Sequence, residues 1–334
     1  MPPTTNLPGP PRPYGLGTFC NDDVPPFAGV VVDGRVVPVA EVLASSDDLS
    51  VRGLLERWDD VEPVLQRAVD ALPDGRGTEL DGFRPLPPIQ PPGQLFCAGA
   101  NYKQHVKQLL MARGVVPTGD VDPAELERQL DAGLDERARS GMPYVFLGLP
   151  RSMVGAYDDV VLPEHAHQID WELELAVIIG APARNVTRDG ALAYVAGYAV
   201  SNDVTLRDHV FRPDMPTVGT DWLSGKSAPT LFPIGPWITP ARHVDPGELR
   251  LTLRLNGEPM QDESTADMVF DVARLIEHVS ATCQLLPGDV LLTGSPAGNG
   301  AHYGRYLVPG DVMEGEITGL GVIRNVCVAE GAIA

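Results

Sequence analysis

Apolar and polar positions along this chain follow two rhythms. Phe27 to Val32 and Val36 to Val42 are short apolar runs separated by Asp33-Gly34, a pair whose backbone freedom suits a two-residue hairpin turn. Leu49 to Leu72 then carries apolar residues at helical spacing, which predicts a small α+β unit at the N-terminus. Farther along, Leu173 to Ile179, Gly197 to Val204, Leu249 to Leu255, Val290 to Thr293 and Gly321 to Val328 read as strands between turns. Thr265 to Leu286 is expected to be the one long helix, buried through Val269, Val272, Ile276, Val279 and Cys283.

Prolines punctuate this pattern. The tract from Pro85 to Gly93 can neither continue a helix nor supply the amide donors of a central strand. It divides residues 1–90, a small α+β domain with its linker, from a catalytic domain over residues 91–334. Asp122-Pro123 predicts a helix start, and Leu126, Leu130 and Leu134 follow as a single narrow stripe among charges. So thin a core contact makes Lys103 to Gly141 a candidate flap with hinges at Gly114, Gly119, Gly133 and Gly141, or alternatively a dimer contact.

Composition narrows the choices. With 35 glycines and 33 prolines the chain is too turn-rich for a helical bundle, so the fold class is α+β and β-rich. Twenty-five basic against 45 acidic residues leave a net charge of −20, which argues against nucleic acid and anionic membrane as partners and favours a small molecule or a metal. No apolar run approaches the roughly 18–20 residues of a membrane span, and the first 13 residues carry no apolar signal core, so the expected location is cytoplasmic. Cys20, Cys97, Cys283 and Cys327 are too scattered for a zinc or disulfide framework and are expected to be reduced and mostly buried.

Four clusters could carry chemistry. In Asp170-Trp171-Glu172-Leu173-Glu174-Leu175, strand alternation puts Glu172 and Glu174 on one face, about 6.5–7 Å apart along the chain. The apolar run that follows points to a strand covered on both faces, where a cation would be needed to hold the carboxylates; an acidic solvent edge is the plainer alternative. Asp203, at the end of another apolar strand, offers a third oxygen or else caps a helix. Ser224-Gly225-Lys226-Ser227 is no phosphate loop, because that motif requires glycine at position 220 and this chain has Thr220 there. His105, in the polar segment after Leu95 to Gly99, has the titration range of a general base. His165-Ala166-His167 reads as a solvated or supporting pair. Thr293 to Gly300 is a glycine-rich turn, either structural or offering backbone amides to an anion.

These motifs in this order resemble the fumarylacetoacetate hydrolase family over about Gln94 to Cys327. The likeness rests on Cys97-Ala98-Gly99-Ala100-Asn101-Tyr102 with His105, and on Glu172-Leu173-Glu174-Leu175-Ala176-Val177. It continues through Gly197-Tyr198, Asn202 to Asp208, Gly225-Lys226-Ser227 and Leu255-Asn256-Gly257-Glu258. Gln261-Asp262 with Thr265 and Pro287 to Pro296 complete the series. The resemblance implies a mixed β-sandwich roll, usually dimeric, with Mg²⁺ on Glu172, Glu174 and Asp203, and Mn²⁺ or Ca²⁺ as alternatives. It implies His105 as base, with Lys226 beside the substrate and Gln108 and Arg207 completing the catalytic set. Tyr102, Gln261, Thr293 and Gly294 are its candidate substrate contacts. Family hydrolases often place a glutamate where this chain has Gln108. They also often carry a Phe-x-Lys-Pro segment where it has Phe146-Leu147-Gly148-Leu149-Pro150.

The leading expectation is Mg-dependent hydrolysis of a carbon–carbon bond in a β-dicarbonyl, acylpyruvate-like acid through an enolate. Decarboxylation, tautomerisation or hydration of a 2-oxo acid at the same site is the alternative, and a non-catalytic binding or assembly subunit is a third. All three anticipate a small anionic 2-oxo acid or dicarbonyl ligand and a homodimer.

Overall fold

The computed structural model describes residues 10–45, 47–112, 122–217 and 219–331. Gly114 and Gly119 lie outside the described residues. The main sheet runs, in spatial order, through Thr78–Glu79, Arg35–Pro38, Phe27–Val32, Gly15–Cys20, Phe232–Pro240, Val195–Asn202, Leu173–Ile179, Val290–Leu292, Leu95–Gly99 and Tyr144–Gly148. A second sheet orders Glu258–Ser264, Arg250–Leu255, Val312–Ile317, Gly321–Ala329 and Val160–Leu162. Most neighbours are antiparallel, but Val290–Leu292 runs parallel to Leu95–Gly99, and Gly321–Ala329 parallel to Val160–Leu162, which makes both sheets mixed.

Strand Leu173–Ile179 lies at the centre and is buried throughout. Its odd residues Leu173, Leu175 and Val177 share a core with Leu251, Leu253, Met313 and Ile323 of the second sheet. Ala176 and Ile178 face the opposite core, formed with Leu54, Trp58, Leu65 and Val69 of the N-terminal helices. The uninterrupted apolar run from Leu175 to Ile179 thus reflects burial on both faces, as expected of a covered strand. Gly315 allows the second sheet to approach, since a Cβ there would stand 2.5 Å from Leu173 Cδ1. The N-terminal strands extend the same main sheet, through Leu16 opposite Ile238.

Several boundaries differ from the periodicity. The hairpin turn at Asp33-Gly34 is present, with both residues at positive φ, but its second strand stops at Pro38 and Val39–Val42 is a helical turn. The Leu49 to Leu72 pattern resolves into two helices, Val51–Leu55 and Trp58–Asp70. The long helix shrinks to Val272–Thr282, preceded by a 3₁₀ turn at Thr265–Asp267. Asp271 starts it by accepting from Arg274 N. Upstream, Phe270 is held by Asn101, whose side chain accepts from Phe270 N and donates to Phe270 O at 2.9 Å each, so those backbone groups are withdrawn from a helix. Cys283 is an extended C-cap rather than a core helical position. Of the four free cysteines, Cys97 and Cys327 are buried. The helix after Asp122-Pro123 spans Pro123–Ser140, with Leu134 alone of its leucine stripe buried.

Candidate metal and substrate site

Glu172, Glu174 and Asp203 converge where the two central strands meet, and each offers one oxygen within 4.8 Å of the others. The convergence is built by backbone pairing: Leu173 opposes Asn202, and Asp203 N donates to Glu172 O at 2.8 Å. Asn202 locks the corner by accepting from Glu172 N at 2.8 Å. All three carboxylates are buried.

Lys226, at the end of the short helix Trp222–Lys226, is buried beneath them. Its Nζ donates to Glu172 Oε2 and Asp203 Oδ2 at 2.6 Å each and to Asp203 O at 3.0 Å, which commits all three ammonium protons. Arg207 donates through Nε to Asp170 Oδ2 at 2.9 Å and through Nη2 to Glu172 Oε1 at 2.6 Å, leaving guanidinium protons for another anion. Thr205 Oγ1 donates to Glu172 Oε2 at 2.7 Å, and Gly294 N to Glu174 Oε2 at 2.7 Å.

The charges are out of balance. Burial alone would raise Glu172, but Arg207, Lys226 and His105 outweigh it and hold that carboxyl well below the usual range. Glu174 is displaced the other way, by burial and then by Asp203 and Glu172, and stands well above it. Burial chiefly, with Glu172 adding to it, pushes Asp203 up to about 6 despite Lys226. Asp203 Oδ1 is buried with no hydrogen-bond partner. Two carboxylates strained by proximity, one with an orphaned oxygen, fit a hard divalent cation, which takes oxygen donors and relieves both effects.

The cluster opens into a cavity of about 400 Å³. His105, Arg207 and Lys226 share its lining with the carboxylates, which brings the histidine expected as base into the same cavity. Its Nδ1 is buried without a partner, and burial pushes the imidazole down to about 4, Glu172 opposing.

Other expected contacts fall elsewhere. Gln108 does not orient His105; its Oε1 accepts from Gly298 N at 3.1 Å, because the helix Lys103–Ala112 turns that side chain toward the glycine turn. Gln261 does not reach the cavity lining: it bridges Leu173 N, Ser295 Oγ and Pro296 O and exhausts its amide there. Tyr102 and Thr293 are fully buried outside the cavity lining, their hydroxyls facing one another, and Gly294 serves Glu174. The glycine-rich turn does offer amides to anions, but the anions are the chain's own: Gly294 N binds Glu174, and Gly300 N and Ala301 N bind Asp170. His165 stacks edge-on against His209, away from the carboxylates.

Sequence reasoning missed two features. Asp170, wholly buried, holds Arg207 and the backbone at Gly300 together; its place two residues before Glu172 was the available signal. The second is an aromatic wall, in which Phe146 stacks on Trp222 at 4.2 Å with planes 10° apart, and Trp222 Nε1 donates to Tyr144 OH. The 75 residues between Phe146 and Trp222 hide such a stack from local periodicity.

A close set of buried carboxylate oxygens, paired with two cations and open to a small-molecule cavity, defines a divalent-cation site on an α+β roll. The comparisons agree with that class. The fumarylacetoacetate (FAA) hydrolase C-terminal family matches residues 94–328. Human mitochondrial oxaloacetate tautomerase FAHD2B is 37% identical over 243 residues, covering 72% of this chain and 68% of the relative. Among solved structures, a probable 2-hydroxyhepta-2,4-diene-1,7-dioate isomerase from Mycobacterium abscessus is 31% identical, covering 95% of this chain and 99% of its own, at a TM-score of 0.70. Maleylpyruvate hydrolase from Sphingobium sp. SYK-6, solved with manganese(II) and pyruvate, is 26% identical, covering 94% and 99%, at 0.69. The chain belongs to the fumarylacetoacetate hydrolase family and is an enzyme of it. Among the described residues no helix is long and apolar enough to cross a membrane.

Proposed function

We propose that this enzyme interconverts the keto and enol forms of a 2-oxo acid. The observation that carries this reading is the state of His105. Activating water for hydrolysis favours an imidazole steadied as it charges by an acidic partner. Here His105 Nδ1 makes no hydrogen bond, and Gln108, where family hydrolases often carry glutamate, is spent on Gly298. A neutral buried imidazole can still take a proton from the carbon beside a carbonyl and return it. A base held near 4 is weak, so the substrate must be made acidic.

A divalent cation on Glu172, Glu174 and Asp203, with Mg²⁺ the favoured ion, would supply Lewis-acid polarisation of the substrate's carboxylate and 2-oxo oxygens. Arg207, with guanidinium protons to spare, binds the substrate carboxylate. Lys226 stays protonated, since Asp203 and Glu172 raise it more than burial lowers it, and its charge favours the negative oxygen of the enolate. His105 removes the C3 proton to leave the enolate, which takes a proton from solvent on oxygen to become the enol. In the other direction the enol O–H proton goes to solvent and the protonated His105 delivers its proton to C3, so each turnover balances one C–H against one O–H.

Hydrolysis of an acylpyruvate is the second reading, favoured by a cavity larger than a three-carbon acid needs and by the likeness to a maleylpyruvate hydrolase. A homodimer, as the family resemblance implies, and a reducing compartment such as the cytoplasm, suited to four free thiols, complete the proposal. The deciding experiment follows enol decay of oxaloacetate and acid release from an acylpyruvate side by side, with Mg²⁺ and with chelator. Chelator-sensitive enol decay without acid release is expected. Release of a second carboxylic acid at the higher kcat/KM would replace tautomerisation by hydrolysis.

A further inference from the structure

The cavity is larger than its charged end. His105, Arg207 and Lys226 are the cationic or protonatable nitrogens of its lining among the described residues, and all three gather at the carboxylates. The rest of the lining is uncharged: Leu109, Phe146, Val210 and Trp222 give it apolar and aromatic surface, and Tyr144, Gln168, Thr220, Ser295 and Tyr306 are its neutral polar members. Among the described residues this half of the cavity presents no counter-ion for a second carboxylate, and a chain of net charge −20 adds a field that opposes dianions.

The aromatic wall is also built to hold its shape. Phe146 comes from the strand Tyr144–Gly148 and Trp222 from the helix that ends in Lys226, one turn away, so ring and ammonium are fixed by the same short element. The stacked pair is steadied by Trp222 Nε1 on Tyr144 OH, and Tyr144 OH in turn lies 3.2 Å from Thr220 Oγ1. Lys226 Nζ stands 5.7 Å from the Phe146 ring centroid, which places the apolar face directly beside the reacting end. Gly148, two residues after Phe146, leaves little space for a side chain, because a Cβ there would meet Leu95 Cδ2 at 2.6 Å and Phe232 Cζ at 3.0 Å.

We infer that the enzyme selects 2-oxo acids whose C3 substituent is uncharged and aromatic or bulky apolar, bound against Phe146 and Trp222, over 2-oxo dicarboxylates. This rests on the site reading above, that the carboxylates and Arg207 receive the 2-oxo acid end. Ring-on-ring contact supplies the affinity, and the missing counter-ion supplies the discrimination, since a carboxylate pressed into an apolar wall loses hydration without return.

The test is calorimetric titration of phenylpyruvate and of oxaloacetate into Mg²⁺-loaded protein, with enol decay of both acids measured in parallel. Phenylpyruvate is expected to bind at least about tenfold more tightly, the size of one good stacking contact. In Trp222→Ala, and in Phe146→Leu should the first fold poorly, the ratio of the two dissociation constants should fall toward unity. Oxaloacetate binding as tightly as phenylpyruvate in the wild type, or a ratio unchanged in both variants, overturns the inference. Failure of the parent reading looks different: binding with the expected preference but no acceleration of either enol removes the tautomerase and leaves the selectivity standing.

Discussion

The two walls of the cavity are made in opposite ways. The carboxylate wall stands on Leu173–Ile179 and Val195–Asn202, strands buried at every position, and each acidic side chain is held by named donors from at least one other element. The facing wall carries His105 on Lys103–Ala112, backed by Pro123–Ser140, where Leu134 is the one fully buried side chain among those described. That helix is fastened largely by charge: Lys103 to Asp135 at 2.9 Å, Lys107 to Asp131 at 2.6 Å, and Arg137 Nη1 to Ala100 O at 2.8 Å. The carboxylates are carried by strands covered on both faces, and His105 by a helix whose outer neighbour has little apolar contact.

The sharpest way to break this contrast is to remove a ligand. Glu174→Ala should weaken Mg²⁺ or Mn²⁺ binding by at least about 100-fold in calorimetry, because two carboxylates remain and Lys226 and Arg207 already pair with them. A companion effect runs the other way. In chelator, Glu174→Gln should melt above the wild type, since it deletes a buried carboxyl crowded by Asp203 and Glu172, whereas in excess Mg²⁺ the wild type should melt higher. Undiminished metal binding by the alanine variant would end the assignment of the site.

Next in size is the pH response, which separates the walls by sign. Asp203 is raised from 3.8 to about 6, so its contribution to stability is present below 3.8 and lost as pH rises through 6 in metal-free protein. His105 is lowered from 6.5 to about 4, so its contribution is present above 6.5 and lost as pH falls through 4. The histidine shift corresponds to roughly 3 kcal/mol if fully expressed. Chemical denaturation in chelator should therefore show His105→Asn losing less stability than wild type between pH 6.5 and 4. Parallel profiles would mean that the imidazole is hydrated and that this wall stands open.

Asp170→Asn probes the joint between metal site and glycine turn. Asp170 takes hydrogen bonds from Arg207 and from the backbone of Gly300 and Ala301, all from inside the protein. Loss of its charge should cost about 2–3 kcal/mol, read as a lowered denaturation midpoint, because Arg207 keeps only Glu172 as a charged partner. The rise in KM for the 2-oxo acid should exceed the fall in kcat, as befits a residue that positions the carboxylate binder. A stability unchanged from wild type would show that water replaces Asp170 freely.

The contrast also explains what was legible in the chain. Glu172, Glu174 and Asp203 could be read because strand alternation and strand ends are local, and because the apolar run after Glu174 implied burial on both faces. The shortened helix at Val272–Thr282 could not, since its start is decided by Asn101 gripping Phe270 from 169 residues away. Gln108 and Gln261 were placed at the site by motif order, yet an amide's partner depends on which neighbour its helix or strand turns it toward, here Gly298 and Ser295. The N-terminal hairpin was visible from Asp33-Gly34, but its merger with the main sheet through Leu16 and Ile238 is a contact between distant segments.

The smallest expected effect concerns the fastening of the outer helix. Lys107 is buried along its stem while Glu127 and Asp131, its partners, are exposed, so the pairs sit at the solvent boundary and are screened. Lys107→Met keeps the stem and deletes the charge, and should lower global stability by about 1 kcal/mol or less. Local opening should respond more than global unfolding, because Pro123–Ser140 has little apolar contact to fall back on. Hydrogen exchange in that helix should accelerate by about three- to fivefold in the variant, in line with a fraction of a kcal/mol to one kcal/mol of lost fastening, while Leu173–Ile179 stays unchanged. Added 2-oxo acid with Mg²⁺ should restore protection in both proteins if the helix closes over bound substrate. Protection of the helix already equal to that of the central strands without ligand would make it a rigid arm, and the two walls would then differ in composition alone.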